Sequence, residues 1–107
     1  YGTAVIEDVH AMPKQGVSSM FAFGRSVGMV EGALAALAVP VHYVTPQAWQ
    51  KAMALPSGDG AGRLRASQLF PASAELWRRV KDDGRADAVL IAAFGERHLF
   101  APARAAA

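Results

Sequence analysis

An α/β layer fold is what this sequence predicts. Three observations carry that expectation. Thr3 to Val9 is a short, β-branched apolar run, Val17 to Ala38 has a helical period, and Val39 to Val44 is a second short apolar run with helices after it. Two strands make too little sheet for such a domain, so further strands are expected before Tyr1.

Val5, Ile6 and Val9 make the first run a strand. Alternation puts Val5, Glu7 and Val9 on one face and Ile6, Asp8 and His10 on the other. Pro13 and Gly16 mark the loop that follows. In the long helix, Ser18 or Ser19 is the expected cap. Met20, Phe23, Val27, Val30, Leu34 and Leu37 recur every three or four residues, which predicts one buried stripe. Gly24, Gly28, Gly32 and Ala36 form a second ridge at spacing four. Glycine costs a helix roughly 1 kcal/mol against alanine, so something is expected to approach that ridge closely. Packing within the domain is the first expectation, and a self-association face is the second.

Thr45-Pro46 is a helix start, a cap followed by proline at the first helical position. The short helix from Gln47 to Ala54 carries Trp49 and Lys51. Pro56 to Gly60 reads as a turn, and Gly62 to Phe70 as a helix bearing Arg63 and Arg65. Pro71 restarts a short helix through Val80, Asp82-Asp83-Gly84 punctuates, and Arg85 to about His98 is the last helix. Residues 1–98 therefore read as one partial domain. Residues 99–107 read as a flexible tail, whose last part, 101–107, has no apolar period and is expected to fray.

Composition excludes several classes. With 52% apolar and 19% charged residues among 107, the chain has enough oily surface to offset the entropy of ordering. Zero cysteines exclude a disulfide-stapled scaffold and a thiolate metal site, and point to a reducing, cytoplasmic compartment. Glu31 and Pro40 interrupt the longest apolar stretch, which falls short of the roughly 18 residues a membrane span needs. A net charge of +2 is too small to argue for nucleic acid by itself. The positions of the charges matter more.

Asp83 and Asp87 are four residues apart, on one helix face, ahead of the apolar Val89, Leu90, Ile91 and Phe94. Asp82 reads as their solvated neighbour. Glu7 ends a buried strand. Carboxylates brought together repel unless a cation neutralises them. Hard oxygen donors without a cysteine or a histidine pair at ligand spacing suit Mg²⁺ or Mn²⁺ rather than Zn²⁺. Such ions activate water for displacement at phosphorus. Lys51, Arg63, Arg65 and Arg85 are candidates to line a phosphate-binding surface beside the acids. Arg78, Arg79 and Lys81 read as a solvated face. Gly58 to Gly62 is glycine-rich but lacks the Gly-Lys-Ser/Thr ending of a P-loop, so it reads as a flexible turn. His10, His42 and His98 fit no ligand spacing.

Four segments occur in an order that resembles RuvC-like Holliday junction resolvases of the phage and prophage branch. They are Val5-Ile6-Glu7-Asp8-Val9, Phe23-Gly24-Arg25-Ser26-Val27-Gly28, Thr45-Pro46-Gln47-Ala48-Trp49-Gln50-Lys51, and Asp82 through Ala92. The resemblance covers about residues 3–95. It implies an RNase H-like fold and Mg²⁺-dependent cleavage of phosphodiesters at four-way DNA junctions by a homodimer. Glu7 matches the family's strand-end catalytic glutamate, and Asp87 its last-helix aspartate. Asp83 approximates the preceding aspartate, at a spacing of four rather than three. Lys51 matches the basic residue that contacts the scissile-strand phosphate. Arg63 or Arg65 falls in the region of a second basic residue, and Lys14 and Arg85 are further DNA-contact candidates. His10 stands where family members often place an aromatic wedge. The family's first aspartate sits on an earlier strand, which is expected among the strands missing before Tyr1. The fold is thus expected to be an incomplete RNase H-like one that lacks the N-terminal strands. The alternative expectation is a non-catalytic module that binds branched DNA.

Overall fold

The computed structural model describes residues 2–9, 14 and 16–100. His10, Pro13 and the tail 101–107 lie outside the described residues, as do the expectations placed on them. Contacts divide the chain into two compact units, Tyr1–Val44 and Thr45–Ala107.

The first unit is strand, helix, strand. β1 (Ala4–Glu7) and β2 (Val41–Val44) pair in parallel, with Ala4 opposite Val41 and Glu7 opposite Val44. The pairing is extended by Ala4 N donating to Pro40 O at 2.9 Å and Asp8 N to Val44 O at 2.7 Å. Parallel neighbours need a long crossover, and α1 (Val17–Ala36) provides it. The helix ends at Ala36. Ala38 then takes a left-handed φ of 56° and Pro40 forbids continuation. Tyr43 on β2 donates its hydroxyl to Glu31 Oε2 on α1, which pushes the phenol's pKa above its ordinary value.

Two expectations for α1 are corrected. Neither Ser18 nor Ser19 is the cap. Gly16 occupies that position without a side-chain bond, and both serines lie within the first turn. The apolar stripe is not buried either. Met20, Val27 and Leu34 are half-covered, while Phe23, Val30 and Leu37 are 42%, 53% and 49% exposed. Length explains this. A 20-residue helix runs about 30 Å, whereas a four-residue strand spans only about 13 Å. The two-stranded sheet cannot cover the helix. Nothing approaches within 4 Å of where a Cβ would stand on Gly24, Gly28 or Gly32, so the glycine ridge does not pack within the described unit.

The second unit holds nearly all of the core. α2 (Pro46–Ala52) starts as the sequence predicts, with Ala48 N donating to Thr45 Oγ1 at 3.2 Å and Pro46 in the first turn. α3 (Ala61–Leu69) and α4 (Asp83–His98) flank two 3₁₀ stretches, Pro71–Trp77 and Val80–Asp82. Trp49, Met53, Ala66, Trp77, Ala86 and Leu90 are buried together. Fully burying a Leu- or Met-sized side chain stabilises by roughly 1.5 to 3 kcal/mol. Trp77 Nε1 satisfies itself on Ser67 Oγ at 2.9 Å. Among the described residues, no helix is long and apolar enough to cross a membrane.

Asp82 is also corrected. It is not solvated but 6% exposed, where its carboxylate accepts from the Arg79 backbone N–H and from Arg79 Nε and Nη2, each at 3.1 Å. That fork lets a charge leave water without losing its partners.

Candidate functional site

A cleft of about 740 Å³ opens in the second unit. Its lining brings together Lys51 from α2, Asp83 and Asp87 from α4, and the loop between Leu55 and Gly62. Three of the residues that the sequence singles out for chemistry thus share one concavity, although Lys51 lies more than thirty positions before the acids.

Each wall has a local cause. Trp49 is completely buried, which turns Lys51 on the far side of α2 outward. Arg65 Nε donates to the Met53 carbonyl at 2.7 Å and fixes the end of that helix. Asp83 is the first residue of α4, where a carboxylate also suits the helix dipole. Asp87 follows one turn later, half-buried, with Ala86 and Leu90 beneath it in the core. The spacing of four puts both acids on one helix face, and both line the cleft.

Two glycines shape the opposite wall. Gly60 caps α3 with φ of 76°, a left-handed conformation that side chains rarely adopt. Gly62 lies against Asp87, and a Cβ built there would collide with Asp87 Oδ1. The glycine-rich segment therefore does more than turn. It makes room for the Asp87 carboxylate. The sequence reads Gly62 only as the end of a flexible turn and the start of a helix. Its signal was a glycine in the first turn of a helix, where alanine would have been the better helix former.

The arginines are largely engaged inside the unit. Arg63 Nε holds Asp83 Oδ1 at 2.6 Å, and its Nη1 reaches Arg78 O at 3.4 Å. Arg65 also meets Gln68 Oε1 at 3.1 Å, and Arg85 Nη1 donates to Leu76 O at 2.7 Å. Lys14 stands exposed in a turn of the first unit. Arg78 pairs with Glu75 at 2.9 Å on the surface. His98 is stacked near Phe94, with ring centroids 5.0 Å apart.

Glu7 belongs to the first unit, half-buried at the end of β1. Among the described residues, no three Asp, Glu or His side chains gather in a group able to hold a metal ion. The cleft's donors are carboxylates, and the chain has no thiol. In kind, that donor set suits a hard cation such as Mg²⁺. No protein-family model matches the chain, and no curated protein is significantly similar to it.

Proposed function

We propose that the chain is a metal-dependent endonuclease domain, RNase H-like in fold, that cuts four-way DNA junctions as RuvC-like resolvases do. The observation that carries this reading is the cleft shared by Lys51, Asp83 and Asp87. A cation, Lys51, and three carboxylates, Asp59, Asp83 and Asp87, in one open concavity are the complement of a phosphodiester and a divalent ion. In this reading Lys51 draws the scissile phosphate in and offsets the charge that builds on it. Asp87 and Asp83 would supply oxygen ligands for Mg²⁺ or Mn²⁺, and Glu7 keeps the catalytic role that the family resemblance implies for it. The bound ion supplies acidity for water near neutral pH. Gly62 leaves room for the Asp87 carboxylate, and Arg63 holds Asp83 at 2.6 Å. Lys14 adds backbone affinity without sequence reading, and Arg63, Arg65 and Arg85 add to it only through the donors not already spent on Asp83, Gln68 and the carbonyls of Arg78, Met53 and Leu76. A homodimer suits the two-fold symmetry of a four-way junction, and a reducing cytoplasm suits the lack of cysteine.

A second reading, a non-catalytic branched-DNA-binding module, is favoured by one observation. The described residues hold no complete group of three ligands. One experiment separates the two. Synthetic four-way junctions are incubated with the chain, Asp87→Asn and Glu7→Gln, and cleavage is read in Mg²⁺ while binding is read in Ca²⁺. The nuclease reading expects each variant to lose at least about a hundredfold in cleavage, a scale that even outer partners of a metal site reach, while still binding. Binding without any cleavage by the parent chain would transfer the assignment to the second reading. Variants that cut as fast as the parent would remove both acids from the chemistry.

A further inference from the structure

α2 brings more than a cation to the cleft. Its inner face is pinned, because Trp49 and Met53 are buried and the Met53 carbonyl is held by Arg65. With that face fixed, Gln47 and Lys51, four residues apart, share the outer side, and Gln50 flanks them. All three are exposed and line the same cleft as Asp83 and Asp87. Among the described residues, neither glutamine amide has a hydrogen-bond partner. The facing wall, from Pro56 to Gly62, carries glycines and short side chains, one of them the carboxylate of Asp59, which leaves space beside the amides for the flat, uncharged edge of a base.

The chemistry of the two side-chain types differs. An ammonium only donates, which suits a phosphate. A primary amide both donates and accepts, and phosphate oxygens use only half of that capacity. The edge of a base uses both halves. A glutamine amide pairs two-fold with the N6 and N7 positions of adenine, for example. A strand whose phosphate rests at Lys51 brings the neighbouring nucleotides alongside Gln47 and Gln50.

We propose that Gln47 and Gln50 read the base edges of the nucleotides flanking the phosphate at Lys51, and so set the sequence preference of the cleft. This rests on the nucleic-acid reading above and adds to it the residues that choose where on the strand the protein settles.

The test uses the whole chain with Gln47→Ala and Gln50→Ala, both at exposed positions where truncation leaves the core intact. Circular dichroism confirms the fold. Fluorescence anisotropy in Ca²⁺ then measures binding to a panel of four-way junctions with identical arms, differing only in the base pairs at the crossover. The parent chain is expected to rank the panel over at least about tenfold, the discrimination a two-fold amide–base contact supplies. Each variant should flatten that ranking to within about twofold while keeping the affinity for the weakest junction. A uniform loss across the panel would mean backbone contact only and would overturn the proposal. So would a parent chain that binds every junction alike, although DNA binding itself would then stand. A parent chain that binds no junction would take down the functional reading, and this inference with it.

Discussion

At 6% exposure, Asp82 is a charge taken almost wholly out of water, and its stability contribution is conditional on pH. The Arg79 guanidinium and backbone N–H donate to it, which holds its carboxyl below the ordinary carboxylate range. Arg85 adds a smaller favourable field. A carboxyl with a depressed folded pKa stabilises fully above its unfolded value, about 3.9, and loses that contribution as pH falls through the folded value. Asp82→Asn is therefore expected to be less stable than the parent at pH 7. The gap should close progressively as pH drops below about 4. Urea unfolding of both proteins at pH 7 and near pH 3 measures it, and an equal gap at the two pH values would show that the fork contributes through shape and not through charge. The same residue marks a limit of reading from sequence. In Asp82-Asp83-Gly84 the two acids look alike as punctuation, and only the 3₁₀ turn that ends at Asp82 decides which one folds under.

Elements with a local cause were legible, and those that depend on a distant partner were not. Thr45-Pro46 specifies its helix start through one hydroxyl and one fixed φ, and the structure has both. The last helix was legible because Leu90 and Ile91 sit behind paired acids at a strict period, and both are buried. For α1 the period was equally plain, yet periodicity states only which face is apolar, not whether anything is long enough to cover it. Its glycine ridge shows the same limit, since open space surrounds Gly24, Gly28 and Gly32. An uncovered glycine in a helix interior has no packing to lose and only backbone freedom to surrender. Gly28→Ala is accordingly expected to stabilise the helix by about 0.5–1 kcal/mol. A shift of the helical signal to higher denaturant checks this. A loss of stability would mean that the ridge is in close contact with something in solution.

Across the whole chain, burial is unequal. Val44 is the one residue of the first unit among the described core, while Trp49, Met53, Ala66, Trp77, Ala86, Leu90, Ile91 and Ala93 all belong to the second. The candidate site follows the same division. Lys51, Asp83 and Asp87 were recognisable as chemistry-bearing residues, and the second unit's own packing brings them to one cleft. Glu7 was recognisable by its strand-end position, which is a local pattern, and it belongs to the first unit. Local stability should track the burial. Amides are protected from exchange by the free energy of opening the segment that carries them, and segments with few buried apolar contacts open easily. The helix from Val17 to Ala36 has no buried residue, whereas the one from Asp83 to His98 has five. Native-state hydrogen exchange is expected to find the amides of Val27 and Val30 exchanging at least about tenfold faster than those of Leu90 and Ile91, the ratio set by about 1.4 kcal/mol of opening free energy. Protein concentration is the control. If the first helix is as well protected as the last, and the protection fades on dilution, its apolar face is covered by a second copy of the chain. Equal protection at every concentration would mean that the burial seen within each unit does not govern its stability.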